Sequence, residues 1–183
     1  QTGEYDYAME VGGVEDDVLQ RLEQGGKGRV VIAFGGRITH VQLNQSDPWT
    51  EVDGERSSLK TVHPFLTDPA VKGALALLVD RTAIQEQILG RLGQVAPNWI
   101  NYPERFRSKS IRWEFNIDKA NQLLDVGGWK RGADGVRVKD GRRLKMLFQT
   151  ATNSLSQKIQ VVIKQAAAKA GIEMELKSVV ASS

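Results

Sequence analysis

Residues 63–89 read HPFLTDPAVKGALALLVDRTAIQEQIL, and this stretch predicts the best-defined helix of the chain. The residues before Pro64 and Pro69 are pushed out of the helical region, so the stretch begins as extended chain. Asp68 is placed to accept a hydrogen bond from a free N–H of the first turn, where the missing N–H of Pro69 costs nothing. Apolar residues then recur at helical spacing and form one face, Val71, Ala74, Leu75, Leu78 and Val79.

A second helical turn is predicted directly after the first. Asp80 is placed to cap it, and its inward residues would be Ile84, Ile88 and Leu89. Gly90 is placed to end it. The whole stretch predicts a packing element and carries no group of side chains suited to chemistry.

Composition bounds the possible functions. The 183 residues are 40% hydrophobic and 26% charged, which predicts a packed core for one domain or two small ones. The 25 basic and 22 acidic residues are spread along the chain, and this disfavours nucleic acid as a partner because its binding needs a clustered basic stripe. The absence of cysteine excludes disulfides and thiolate metal sites. No apolar run is long enough to predict a transmembrane helix.

The order of the remaining patterns indicates an α/β domain. Helices are predicted over 14–24, from Asn116 onward and over 154–170, and a polar surface loop over 44–62. Strands are predicted over 4–11, 29–34, 38–43, 144–149 and 172–180. The second and third of these would form a hairpin across Gly35-Gly36. The last strand–helix–strand unit should hold parallel strands joined by a right-handed crossover.

Few residues suggest catalysis or metal binding. His40 and His63 are the only histidines, and neither has the neighbouring ligands that a metal site requires. Segment 133–141 contains two Asp-Gly pairs, but it lacks the closing glutamate of a calcium loop and favours a plain hairpin. No metal or cofactor is therefore expected.

Two segments remain open to more than one interpretation. Residues 150–154 join the carboxyl end of a strand to a helix N-terminus, a place where α/β sheets bind ligands, but they also suit an ordinary start capped by Asn153 or Ser154. Residues 99–115 interleave aromatic and basic side chains. They could stack nucleobases, although a wrap over the domain surface, with arginine stems lying on rings, is favoured.

Five stretches together resemble one family, the family-5 extracellular solute-binding proteins, which are peptide- and nickel-type receptors of ABC importers. The first is the Pro-Phe…Asp-Pro…Asp-Arg frame of residues 64–81. The second is the Gly-Glu-Tyr-Asp of residues 3–6, and the third is the helix of residues 116–129 that ends in Gly-Gly-Trp. The others are the Asp-Gly-Val-Arg-Val-Lys-Asp-Gly hairpin of residues 134–141 and the Ala-Gly-Ile strand start at residue 170. They occur in the family's order and cover nearly the whole chain.

The resemblance implies a fold and a domain division. The fold would be one lobe of the type II periplasmic-binding-protein plan, with a mixed sheet flanked by helices. Residues 1–183 would form most of the larger C-terminal lobe, and residues 1–11 would be the strand that crosses from a missing lobe. A start at Gln1 in place of methionine is expected of a piece cut from a longer, exported protein.

The resemblance also implies a function: the substrate-binding component of an ABC importer, which captures peptides or similar solutes between two lobes and delivers them to the membrane permease. Such a protein is expected to be a monomer without enzymatic activity, periplasmic or extracellular, and membrane-associated through its transporter. The family's amine-anchoring acidic residue would lie downstream of residue 183. Eight residues are predicted to bind ligand, because they lie at predicted strand ends and at positions that the family resemblance implies: Met9, Glu10, Asn44, Asn98, Trp99, Thr150, Thr152 and Asn153.

Two functions from other classes stay open. An α/β hydrolase or transferase would need a nucleophile with a base in reach, and two histidines offer little choice of base. A module that binds nucleic acid or another anionic partner through residues 99–115 would lose affinity steeply with salt.

Overall fold

The computed structural model describes residues 6–9 and 14–180, and its architecture is α/β. Five α-helices lie in this part, Asp16–Gln24 (α1), Pro69–Leu77 (α2), Arg81–Ile84 (α3), Ile117–Val126 (α4) and Ser154–Lys169 (α5). Its strands are Glu51–Val52 (β1), Glu55–Arg56 (β2), Lys130–Arg131 (β3), Arg137–Lys139 (β4), Arg142–Arg143 (β5), Lys145–Ala151 (β6) and Glu173–Val179 (β7). They form three separate small sheets: antiparallel β1–β2, antiparallel β3–β4–β5 and parallel β6–β7. The described residues therefore contain both parallel and antiparallel pairs, but in different sheets.

Helix α2 forms as its sequence pattern predicts. Asp68 caps it by accepting a 2.8 Å hydrogen bond from the backbone N–H of Ala70. Val71, Ala74 and Leu78 on its apolar face are completely buried. The observed cap and the buried apolar face both match the sequence pattern, so the prediction of this helix is confirmed.

Helix α3 is capped by Asp80, which accepts a 2.9 Å hydrogen bond from the N–H of Ala83. A π-helical turn over Gln85–Leu89 continues it, and a short 3-10 turn over Gly90–Leu92 follows. Gly90 has a φ of 53°, a left-handed value that glycine adopts without strain, so the helical run changes direction at this residue.

The core is centred on the packing of α2 against α4. Gly73, in the middle of α2, faces this contact: a Cβ there would lie 3.1 Å from Cδ1 of Leu123. Glycine within a helix costs about 1 kcal/mol relative to alanine. Glycine is accepted here because α2 and α4 approach each other closely at this position.

Asp68 also links α2 to the segment after α4. Its carboxylate accepts hydrogen bonds from the indole N–H of Trp129 at 3.1 Å and from Nζ of Lys139 at 2.9 Å. Burial alone raises the pKa of Asp68, but the hydrogen bonds from Lys139, Ala70 and Trp129 together outweigh it and hold the pKa below its usual value. One carboxylate thus joins three of the stretches that carry the family resemblance.

Arg137 fastens the β3–β4–β5 sheet to the helices. Its side chain is 1% exposed. The guanidinium donates to the carbonyl oxygens of Ala170 at 2.7 Å and Trp129 at 2.5 Å, to Oδ1 of Asp125 at 2.6 Å and to Oδ1 of Asn121 at 2.8 Å. These acceptors surround the C-terminal ends of α4 and α5, so one buried side chain holds both ends against the hairpin.

The unit β6–α5–β7 confirms the predicted parallel pair. Seven residue pairs run in register from Lys145–Glu173 to Ala151–Val179. Ile163 and Ala167 of α5 are buried in the same core as Met174 of β7. This unit has a defined carboxyl edge, at which β6 passes into α5.

Two of the strand predictions are wrong. Residues 29–43 are all described and form no strand, and Val31 and Phe34 are 71% and 48% exposed. An apolar run becomes a strand only where a hydrogen-bonded neighbour and a covering layer exist, and the described part of the chain supplies neither. Of the predicted strand 4–11, residues 6–9 are not in a strand, and the others lie outside the described residues.

The polar loop predicted over 44–62 contains one regular feature, the hairpin β1–β2. Asp53 and Gly54 at its tip have φ values of 54° and 80°, the conformation that two-residue hairpin turns favour. The Asp53-Gly54 pair thus forms a hairpin turn.

His63, just before α2, is buried. Its Nδ1 accepts hydrogen bonds from the backbone N–H groups of Leu66 at 3.0 Å and Phe65 at 3.3 Å. Burial lowers the pKa of His63, and the nearby charge of Asp47 offsets this only in part. Protonation would place a third donor against two donors, so the folded state favours the neutral imidazole.

We expect the free energy of unfolding to fall as the pH drops below about 6.5, the ordinary histidine pKa. Below that value the unfolded chain binds the His63 proton more readily than the folded chain, so acid favours unfolding until the folded state also titrates. Urea unfolding between pH 7 and pH 5 measures this slope. The variant His63→Asn keeps an acceptor without a titrating group and should flatten the slope; an unchanged slope would contradict the assignment.

Candidate functional site

The β6–α5 connection holds three of the residues predicted to bind ligand. Thr150 lies opposite Ser178 in the parallel pair, and the N–H of Thr152 donates to the carbonyl of Val179 at 3.1 Å. Asn153 is the N-cap of α5, because its Oδ1 accepts a 2.8 Å hydrogen bond from the N–H of Ser156. Thr152 and Asn153 are exposed, and the hydroxyl of Thr152 makes no hydrogen bond with any described residue. The connection therefore combines an ordinary cap with free polar groups at a strand end.

Glu15, which directly precedes α1, lies at the N-terminus of α5. It accepts a 2.6 Å hydrogen bond from Oγ of Ser154 and pairs with Nζ of Lys158 at 2.9 Å. The hydrogen bond from Ser154, followed by the bond and charge of Lys158, lowers the pKa of Glu15. The sequence patterns do not predict this contact, which joins residues 139 positions apart. Its only signal was the acidic start of α1, which also suits the helix dipole.

Glu15 itself lies at the β6–α5 connection. Met9 precedes it by six positions and its side chain is 72% exposed. Glu10 lies outside the described residues. We therefore treat the α5 N-terminus, with Thr150, Thr152, Asn153 and Glu15, as the candidate site and call it the α5 edge.

Trp99 forms a second, separate surface. Its ring is 67% exposed and lies 4.8 Å from the ring of His40, at an interplanar angle of 62°. An exposed aromatic pair in edge contact offers an apolar surface to a ligand. The hydrogen bonds and ring contacts of the described residues do not join this pair to the α5 edge.

Asn98 and Asn44 are both engaged within loops. Asn98 is buried, and its amide nitrogen donates to the carbonyl of Ser108 at 3.1 Å. Asn44 Oδ1 accepts from the N–H of Ser46 at 3.1 Å, and its amide nitrogen donates to Oγ of Ser57 at 3.4 Å. These bonds give both residues a structural role in holding their loops.

Two open concavities among the described residues lie elsewhere. One, of about 430 Å³, is bordered by Trp49, Phe65 and the start of β6. The other, of about 500 Å³, lies beside the C-terminal end of α5 and the start of β7. The predicted ligand-binding residues that the structure describes do not line either concavity.

Neither a metal cluster nor a membrane helix is found in the described residues. No group of three His, Cys, Asp or Glu side chains there is placed to hold a metal ion. No helix among them has both the length and the apolar character needed to cross a membrane.

Residues 1–183 match the family model "Bacterial extracellular solute-binding proteins, family 5 Middle". The chain belongs to this family. The predicted resemblance is therefore confirmed, and so is an α/β fold of the periplasmic-binding-protein kind. The proteins of this family are extracellular or periplasmic solute-binding proteins.

Curated relatives agree with this family 5 assignment. The oligopeptide-binding protein AppA of Bacillus subtilis is 34% identical over 115 residues, which are 59% of this chain and 21% of AppA. Protein XP55 of Streptomyces lividans is 30% identical over 110 residues, 60% of this chain and 20% of that protein. The family 5 chain thus matches about a fifth of the length of these relatives.

Solved structures share the fold of this family 5 chain. NikZ of Campylobacter jejuni, in complex with Ni(L-His), aligns with a TM-score of 0.58 and 26% identity over 66% of this chain and 25% of NikZ. AppA of Bacillus subtilis, in complex with a nonapeptide, aligns with a TM-score of 0.53 and 31% identity over 61% and 23%. NikA of Brucella suis, at 24% identity and a TM-score of 0.57 over 64% and 24%, supports the fold alone.

Proposed function

We propose that this chain is part of the substrate-binding component of an ABC importer that captures peptides or similar small solutes and delivers them to a membrane permease. The observation that carries the proposal is the family 5 match over all 183 residues. The similarity to AppA favours a peptide, since its name and its nonapeptide complex describe an oligopeptide receptor. The receptor would be a monomer outside the cytoplasm, held at the membrane only through its transporter.

We further propose that residues 1–183 form most of the larger C-terminal lobe of a two-lobe receptor. The match to only 20% to 25% of the lengths of these relatives supports this division. Residues 1–11 would cross from the other lobe. The bonds of Glu15 to Ser154 and Lys158 would then fasten the end of that crossing to the α5 edge.

In this arrangement the α5 edge faces the cleft between the lobes. Thr150, Thr152 and Asn153 would contribute polar groups to the solute. Met9, Glu10 and Trp99 would add contacts from neighbouring segments, and Asn44 and Asn98 would hold their loops in place. Solute that contacts both lobes binds the closed state better than the open state, and this difference drives closure.

The two rival functions have weaker structural support. Of the two histidines that could act as a base in a hydrolase, His63 is already engaged, because its Nδ1 accepts two backbone hydrogen bonds. For the nucleic-acid reading, Arg105 stacks on Phe106 at 4.8 Å, and Arg112 donates to the carbonyls of Lys109 and Ile111 within its own loop. These contacts fit the surface wrap, and we propose neither catalysis nor nucleic-acid binding.

The α5 edge is tested with the full-length receptor. Native mass spectrometry of the protein as purified should detect a bound peptide, and calorimetry then measures its affinity. The variant Thr152→Val removes one exposed hydroxyl without changing the backbone bond to Val179. We expect about 5- to 30-fold weaker binding, the effect of one lost hydrogen bond of roughly 1–2 kcal/mol.

Thr82→Val is the matched control, because Thr82 is exposed on α3 and serves no proposed role. It should bind peptide like the unmodified receptor. Equal affinity of the Thr152 and Thr82 variants would remove Thr152 from the site. Failure to bind any peptide, with a steep salt dependence for an oligonucleotide instead, would refute the proposed function.

A further inference from the structure

Helix α1 lies outside the hydrophobic core of the described residues. None of its nine residues is buried. None of them belongs to the partly buried apolar side chains that pack against the core either. Val18 and Leu22, which lie on one face of α1, are both 38% exposed. Most of the stability of a helix in a protein comes from packing its apolar face, so α1 receives little of its stability from this source.

Arg91 forms the first attachment of α1. It lies in the 3-10 turn after α3, and its guanidinium donates to Oδ1 of Asp16 and to Oε2 of Glu23, each at 2.6 Å. These carboxylates lie near the two ends of α1, so one guanidinium spans most of the helix. Gly90 makes the contact possible, because a Cβ there would lie 2.6 Å from Oδ2 of Asp16.

Glu15, directly before α1, forms the second attachment. Its carboxylate accepts the hydrogen bond from Ser154 and pairs with Lys158 at the α5 edge. The ion pair between Asp17 and Arg21 lies within α1 and does not fasten it to another element. Charged side chains therefore supply both attachments of α1 that the described residues show.

Contacts of this kind are weak and are screened by salt. One exposed ion pair changes an equilibrium by about fivefold at most. The distance over which charges interact falls from about 10 Å at 0.1 M salt to about 3 Å at 1 M. The side chains of Arg91 and Lys158 are 37% and 52% exposed, so dissolved ions reach both attachments. A helix of nine residues is marginal by itself in water, so α1 should lose its helical hydrogen bonds once it is released.

We propose that α1 is a strap that its charged contacts hold against the α5 edge and the turn after α3, and that detaches when the ionic strength rises. Its release frees the hydroxyl of Ser154 and the ammonium group of Lys158. The polar groups that are accessible at the α5 edge then depend on the salt concentration around the protein. This inference goes beyond the proposed function, and its test needs no solute.

Hydrogen–deuterium exchange of the full-length protein, followed by mass spectrometry in 0.05 M and 1 M NaCl, tests the strap. Backbone protection over residues 14–26 should fall by about fivefold or more at the higher salt concentration. Helix α2 is the internal control, because it has the same length and a buried apolar face. Its protection should change by less than about twofold.

Arg91→Met removes the first attachment and keeps the length of the side chain. It should lower the protection of α1 by about fivefold or more already in 0.05 M NaCl, and it should weaken the salt dependence. Arg21→Met is the matched control, because the bonds of Arg21 are to Asp17 of the same helix. It should change the protection of α1 by no more than about twofold.

Three results would overturn the inference. One is protection of α1 that is the same at both salt concentrations. Another is an Arg91→Met variant in which α1 is as well protected as in Arg21→Met. A third is an equal loss of protection in α1, α2 and α5, because salt would then loosen the whole protein and not the strap. If Arg91→Met does not fold, the salt comparison of the unmodified protein decides alone.

Discussion

Replacing Arg137 with methionine is expected to lower the free energy of unfolding by about 3–5 kcal/mol, the typical cost of removing one member of a buried ionic network. Methionine fills much of the space but leaves the carbonyls of Ala170 and Trp129 without their donor. Each buried acceptor left unpaired costs about 1–3 kcal/mol. The Asp125 side chain is 57% exposed, so water replaces that partner and the carbonyl groups carry most of the effect. Urea unfolding followed by far-UV circular dichroism measures the change.

Arg142→Met is the control for this prediction. Arg142 lies in the neighbouring strand β5 and is exposed, so the same substitution should change stability by less than about 0.5 kcal/mol. Arg137→Lys should fall between the two, because one ammonium group cannot reach acceptors on both helix ends. If Arg137→Met were as stable as Arg142→Met, the network would not be holding the hairpin to the helices.

Asp68→Ala should lower the free energy of unfolding by about 2–4 kcal/mol, the second largest effect. The helix α2 loses its N-cap, worth about 1 kcal/mol, and the buried indole N–H of Trp129 loses its acceptor, worth roughly 1–3 kcal/mol. The pair with Lys139 adds little, because the Lys139 side chain is 34% exposed and water screens its charge. Urea unfolding of the variant beside the unmodified protein gives the difference.

Asp68→Asn separates these contributions. Asparagine has one amide oxygen, which can replace Oδ1 at the cap, but its NH2 group cannot accept from the indole N–H that Oδ2 of Asp68 binds. It should therefore cost about 1–3 kcal/mol, mostly from the unpaired indole N–H. Asp118→Ala, in the exposed first turn of α4, loses only a helix-dipole interaction worth about 0.3–1 kcal/mol. An Asp68→Ala variant no less stable than Asp118→Ala would show that the link between α2 and Trp129 is weak.

The helices and their caps were predictable because they depend on neighbouring residues. Asp68, Asp80 and Asn116 each accept a hydrogen bond from an N–H two or three positions later, as the sequence indicates. The parallel β6–β7 pair was also predictable, because α5 bridges two short apolar runs over a short stretch of chain. The family followed from five motifs in their order, and the match over residues 1–183 confirms it.

The candidate site was predictable only in part. The sequence pattern predicted that Thr150, Thr152 and Asn153 lie at the end of β6, and they do. The local pattern did not predict that Glu15 lies at the same helix N-terminus, because that contact joins residues 139 positions apart. That these residues bind solute stays a prediction.

The helices, their capping residues, the β6–α5–β7 unit and the family could be predicted from the residues alone, because each depends on local periodicity or on a motif that can be read directly. The absence of a strand in residues 29–43 became visible only in the folded chain, since a strand requires a neighbour that no local pattern supplies. The folded chain alone showed that Asp68 of the opening stretch binds Trp129 and Lys139, and that Arg137 ties two helix ends to a hairpin. Contacts between residues 33 to 71 positions apart arise from how helices and sheets pack, and that packing minimises buried, unpaired polar groups across the whole chain.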